Sequence, residues 1–162
     1  LLAADSHGHL HLFVYAPRDV HSFGGQRLLR RGEFSLRSRV VSLRRIIGSS
    51  RHVCLAMTFD GSVHAVSMVP EKTYKRLQRI NGQLAKAVPP IAGLNPREYR
   101  AVPLHRRQNQ APKRTVLDAD LLVPVYTNGS VVRQKEAAQR DGTTADRVLK
   151  DIVETESVFG IF

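Results

Sequence analysis

The 162-residue chain carries 25 Lys+Arg against 14 Asp+Glu, a formal net charge of +11, with 42% apolar residues and one cysteine, Cys54. A single cysteine excludes an internal disulfide and a cysteine-based zinc knuckle, and no apolar run approaches the roughly 20 residues of a membrane-spanning helix. The cations are unevenly placed, 9 against 4 acids through Asp60, 11 against 2 from Gly61 to Arg114, and 5 against 8 from Thr115 onward. The middle third therefore favours polyanions or acidic proteins as neighbours, and the last third does not.

The length suits one domain core or pieces of two. The start, Leu-Leu-Ala-Ala, lacks an initiator methionine and reads as part of something longer. It also lacks the basic region and apolar core of a signal peptide, and a reducing compartment fits the cysteine usage.

From Leu1 to Tyr15 the alternation predicts a hairpin, with Asp5-Ser6-His7-Gly8 as the turn. Leu10, Leu12 and Val14 point one way, and His9, His11, Phe13 and Tyr15 the other. His7, His9 and His11 imitate a metal-ligand spacing, but Gly8 interrupts the strand and no carboxylate lies in the alternating set to orient the rings. No metal site or other cofactor is assigned from this pattern.

The segments RLLRRGEFSL and RVVSLRRII read as two further strands. Arg30 and Arg31 point to opposite faces of the first, so at least one is expected to pair with an acid or stack on an aromatic ring. Gly24-Gly25 followed by arginines lacks the phosphate-loop spacing. A second hairpin is predicted at Val53 to Val69, turning at Phe59-Asp60-Gly61. Cys54 lies in its apolar run VCLAMTF and reads as a core residue, not a nucleophile. Repeated short strands of this kind suit the blades of a β-propeller, and a β-sandwich has similar spacing.

A helix is predicted from Pro70 to the Pro89-Pro90 break. At about 100° per residue, Tyr74, Leu77, Ile80, Leu84, Ala87 and Val88 share one arc, and Lys72, Lys75, Arg76, Arg79 and Lys86 the opposite arc. Glu71 is the only nearby acid, which leaves a solvated charged face or a contact for nucleic acid or an acidic partner. The proline-rich segment that follows adds Arg106, Arg107, Lys113 and Arg114, with Asn95-Pro96 suited to start a turn or a short helix. Tyr74 and Tyr99 are the only nearby aromatic residues, so sequence-specific reading of unpaired bases is not expected.

The last third alternates helix and break. Leu117, Leu121 and Leu122 form a face that Pro124 is expected to end. Asn128-Gly129-Ser130 turns, with its glycosylation pattern expected to be unused, and Ser130 caps a helix that Gly142 closes. Thr143 with Asp146 resembles a capping box for a final helix, with Val148, Leu149, Ile152 and Val153 as its buried stripe. The terminal Phe159, Ile161 and Phe162 are expected to dock on a neighbour.

The run EKTYKRLQRINGQL followed by IAGLNPREYR resembles the C-terminal part of the large scaffold subunits of the cleavage and polyadenylation specificity factor. So do SFGGQRLLRR, FDGSVHAV, VLDADLL and GTTADRVLKDIVETE, in the same order over nearly the whole chain. The segment between Ile47 and His52 is shorter than in some members, so contacts made by a longer insertion there do not carry over. The resemblance implies a β + α fold, the last blades of a β-propeller followed by a C-terminal α-helical domain. The corresponding parts are 1–69 as blades, 70–114 as basic helix and linker, and 115–162 as helical domain. A partial propeller leaves apolar faces wet at about 25 cal/mol per Å², so residues 1–162 alone are expected to aggregate or stay partly unfolded.

No constellation supports enzyme chemistry, since neither paired carboxylates nor an activated nucleophile is present. What the resemblance implies is a nuclear, non-catalytic scaffold in pre-mRNA 3′-end formation. It would bind WD-repeat and zinc-finger subunits and attract pre-mRNA electrostatically, directly or through those subunits, without a membrane. The contact candidates are Lys72, Lys75, Arg76, Arg79, Lys86, Arg106, Arg107, Lys113 and Arg114, and the docking candidates are Arg30, Arg31, Phe159 and Phe162. The alternatives are a related scaffold of a splicing factor or ubiquitin ligase, or a small basic RNA-binding module contacting phosphates. Reversing Lys72, Arg76 and Arg79 to glutamate is expected to weaken partner or RNA association and leave the helix folded.

Overall fold

The computed structural model describes residues 1–46, 52–89, Gly93, Asn95, Arg100 and 116–157. The element order is β1 (Leu2–Ala4), β2 (His9–Val14), a 3-10 turn (Val20–Ser22), β3 (Leu29–Ser35), β4 (Val40–Ile46), β5 (Val53–Thr58), β6 (Val63–Ser67), α1 (Glu71–Ala87), α2 (Ala119–Thr127), α3 (Val131–Arg140) and α4 (Ala145–Glu156). The described residues divide into two compact units. One holds Leu1–Leu43, Ala56–His64, Arg100 and Val116, and the other holds the remainder.

The strands form two three-stranded sheets in sequential order, β1-β2-β3 and β4-β5-β6. The first hairpin pairs Ala4 with Leu10 and Ala3 with His11, leaving the turn as expected at residues 5–8. Gly8 sits there at φ +79°, and a Cβ on it would lie 2.1 Å from the Ser38 carbonyl oxygen, so position 8 requires glycine. Asp60 shapes the second turn, accepting from the Ser62 N–H at 3.1 Å and the Thr58 hydroxyl at 2.5 Å, with Gly61 at φ +84°.

The β2–β3 register slips between Leu12 and Phe13, which face Gly32 and Arg30 and leave Arg31 as a bulged residue. A bulge reverses the alternation beyond it, bringing Arg30 and Glu33 within 3.4 Å although they are three residues apart.

The helices α1 to α4 share one apolar core. Leu77, Ile80 and Leu84 of α1 meet Leu122 and Tyr126 of α2, Ala137 and Ala138 of α3, and Val148 and Ile152 of α4. The buried arc of α1 carries Leu77, Ile80 and Leu84 as its periodicity predicts, with Tyr74 half-buried at its N-terminal end, but near the other end Ala85 is buried and the expected Ala87 is exposed. Each fully buried Leu or Ile here contributes about 1.5–3 kcal/mol relative to exposure.

Four further local expectations are corrected. Pro124 does not end α2, which runs on to Thr127. Pro124 is exposed and forfeits one hydrogen bond, while Tyr126 beyond it is almost wholly buried. The cap of α4 is Thr144, whose hydroxyl accepts from the Arg147 N–H at 3.3 Å, one residue after the predicted Thr143. Val153 is 63% exposed, and the place expected for it in the buried stripe is taken by Asp151. Lastly, the histidines do have a carboxylate: Asp5 in the turn, outside the strand alternation, lies 2.8 Å from His9 Nδ1 and 3.4 Å from His11 Nε2.

The Ser130 hydroxyl caps α3 as expected, accepting from the Arg133 N–H at 3.4 Å. Gly142 at φ +68° closes it, as the Thr143 N–H reaches back to the Ala138 carbonyl at 3.0 Å. No described helix is long and apolar enough to cross a membrane.

Candidate partner-binding surface

The predicted cationic arc of α1 has two kinds of member. Arg76 reaches across to the carboxylate of Asp151, which is fully buried on α4, and Arg147 approaches the other oxygen of Asp151 at 3.5 Å. Arg79 bonds Asp141, just after α3, at 2.8 Å; that carboxylate is 3% exposed. Lys75 pairs with Glu71 one turn away at 2.5 Å, and this neighbour holds the Glu71 carboxyl below its ordinary range. Lys72 and Lys86 are exposed and pair with no acid among the described residues.

Arg76 and Arg79 are therefore fixed by acids remote in sequence. The acidic last third of the chain supplies the counter-charges that the helix itself lacks. An arginine with one planar face against a buried carboxylate is held by directed hydrogen bonds, whereas a lysine on the open side of the helix is free to follow a ligand.

Between α1 and α3, Arg79, Gly82, Gln83, Lys86, Arg140 and Asp141 line a shallow cleft of about 430 Å³. The glycine at position 82 leaves room on this side of α1, and three cations face one carboxylate. The cleft can attract an anionic group at its Lys86 and Arg140 rim. Arg140 is a member of this positive surface that periodicity in α1 alone does not reveal. Its sign is its place in the last turn of α3, where a cation also favours the helix dipole.

The docking candidates Arg30 and Arg31 both have acid partners: Glu33 at 3.4 Å for Arg30 and Asp19 at 3.0 Å for Arg31. Asp19 in turn caps the 3-10 turn through the His21 N–H at 3.1 Å, so Arg31 anchors the SFGG loop to β3. Cys54 is half-buried; burial pushes its thiol up against a smaller lowering by the Arg44 backbone. The candidates Arg106, Arg107, Lys113, Arg114, Phe159 and Phe162, and Pro96 of the predicted Asn95-Pro96 helix start, lie outside the described residues.

Apolar side chains remain outside on the strands and in the residues that adjoin them. Val41, Phe59 and Val63 are 64%, 74% and 60% exposed, and Met57 and Met68 are also uncovered. Arg39 stacks over the Phe59 ring at 5.5 Å, covering one of its faces.

Comparison with known proteins places these features in a family. The family model described as CPSF A subunit region matches residues 1–126, which takes in all six strands, α1 and most of α2. The probable cleavage and polyadenylation specificity factor subunit 1 of Oryza sativa subsp. japonica is 31% identical over 93% of this chain and 11% of its own length. The subunit 1 of Arabidopsis thaliana is 32% identical over 95% of the chain and 11% of its own length. The subunit 1 of Drosophila melanogaster is 27% identical over 99% of the chain and 12% of its own length. The chain thus spans about a ninth of the length of these relatives.

Proposed function

The chain belongs to the CPSF A subunit region family, and we propose that it is a non-catalytic docking region of a scaffold subunit in nuclear mRNA 3′-end cleavage and polyadenylation. The observation that carries this reading is the contrast between four helices that share one apolar core and open sheets whose strands and turns leave Val41, Phe59 and Val63 uncovered. Sheets of that kind are completed by further strands or by another chain. The finer architecture we propose is the last blades of a β-propeller, continued by strands of a longer protein.

On this reading the partners are a WD-repeat and a zinc-finger subunit, and pre-mRNA is drawn in by charge. The positive surface serving it takes in Lys72 and Lys86 of α1 and Arg140 of α3, exposed cations that no acid pins among the described residues. Arg76 is not suited to a charge-reversal test, because a glutamate there would face the buried Asp151.

The test is co-purification of the longer protein containing this chain with the two partner subunits, followed by RNA binding across a salt series. Association with both partners is the expected result. Lys72→Glu with Lys86→Glu should weaken RNA retention and lower its salt dependence, by roughly 0.7 log units per lost contact on single strands. Failure to bring down either partner overturns the reading.

A further inference from the structure

The first hairpin holds a group of donors that the docking function does not use. Asp5 divides its carboxylate between two tasks. Oδ1 accepts from the backbone N–H groups of His7 at 2.8 Å and His9 at 2.9 Å, which builds the turn. Oδ2 is turned instead to two imidazoles, 2.8 Å from His9 Nδ1 and 3.4 Å from His11 Nε2. One donor atom from each residue lies within 4.8 Å of the others.

We propose that Asp5, His9 and His11 form a binding site for a divalent imidazole-preferring metal ion of the Zn²⁺ class. Three arguments support it. A tetrahedral ion with bonds of about 2.0–2.1 Å sets its ligand atoms roughly 3.3–3.4 Å apart, and the two carboxylate–imidazole distances, 2.8 and 3.4 Å, bracket that spacing. Two nitrogens and one carboxylate oxygen match Zn²⁺ and its neighbours, while Ca²⁺ and Mg²⁺ require more oxygens.

The ligands are also preorganised. His9 is 6% exposed, and its partner Ser35 across the β2–β3 ladder is 3% exposed, so the first imidazole is held in a packed wall. His11 stands two residues along the same strand face, with its ring 6.3 Å from those of both His9 and Phe13. Its Nδ1 is buried without a hydrogen-bond partner among the described residues, so the only polar contact of that ring points to Asp5.

Three protein ligands leave a fourth position for water or a side chain of a bound neighbour. His7 belongs to the exposed turn and is not one of the three.

The probe is Co²⁺ followed by Zn²⁺, added to chelator-treated, tag-free protein carrying the whole 162-residue chain. One equivalent of Co²⁺ is expected to develop the visible absorption of a low-coordinate nitrogen–oxygen site, and one equivalent of Zn²⁺ should abolish it. Asp5→Asn keeps an oxygen for the turn and loses the charge, and His11→Ala removes a half-buried ligand. Each should weaken Zn²⁺ binding at least as much as loss of an outer-shell partner does, about 10- to 100-fold. His7→Ala should leave it unchanged. His9→Ala risks the fold, so the first two variants decide the matter. Absence of stoichiometric binding, or equal binding by wild type, Asp5→Asn and His11→Ala, overturns the proposal. So does an equal loss in His7→Ala, which marks mere surface histidine binding.

Discussion

The strand region and the helical region solve the same problem of charge and apolar surface in opposite ways. In the helices, the apolar stripes of α1 to α4 close on one another, and the arginines of α1 meet acids on other elements. In the strands, Arg30 pairs with Glu33 on its own strand and Arg31 with Asp19 of the preceding loop, and large apolar side chains stay outside. On the proposed reading the strands are completed by further strands or by a partner, and the open side of the helices supplies only electrostatic attraction.

The largest effect should come from opening the helical side of this contrast. Arg76→Ala leaves the Asp151 carboxylate buried without its principal cation, and the helical unit should lose about 3–5 kcal/mol in denaturant unfolding. If the loss is below about 1 kcal/mol, the pair is not what holds α1 to α4. Leu77→Ala, at a fully buried site, should cost about 2–5 kcal/mol by the same measurement.

Gly8→Ala tests the strand side. The added methyl meets a backbone carbonyl and the left-handed φ is strained, so a loss of more than about 1 kcal/mol is expected, read as a lower melting temperature of strand signals. Ser130→Ala removes one capping bond and should cost about 1 kcal/mol in the helices alone. Smallest in stability is Lys72→Glu with Lys86→Glu, within about 0.5 kcal/mol each, although it should reduce retention of an anionic partner. That dissociation of binding from folding distinguishes the exposed lysines from the pinned arginines.

Much of this was legible in the residues because the signals were local. Alternation marked the strands, Asp60-Gly61 and Gly8 marked turns, and the 3.6-residue period of Leu77, Ile80 and Leu84 marked the buried side of α1. Local reasoning failed where a partner lies far along the chain. Nothing around Arg76 or Arg79 reveals Asp151 or Asp141, so the arc looked wholly available to ligands. Asp151 itself hid in an apolar stripe, because a buried acid is indistinguishable by period from an exposed one. Likewise Asp5 escaped notice beside the histidines because alternation counts only residues on the strand. The family resemblance, by contrast, rested on long runs spread over nearly the whole chain, and the family match covers residues 1–126.

The bond between Arg76 and Asp151 joins residues 75 positions apart. During synthesis, α1 leaves the ribosome well before its counter-ion exists, with a cationic side and an apolar side both uncovered. A chain stopped before α4 therefore leaves Arg76 without its counter-ion, and one stopped before α2 leaves the whole apolar side of α1 bare, so truncation should act less by removing a tail than by stranding the helix made first.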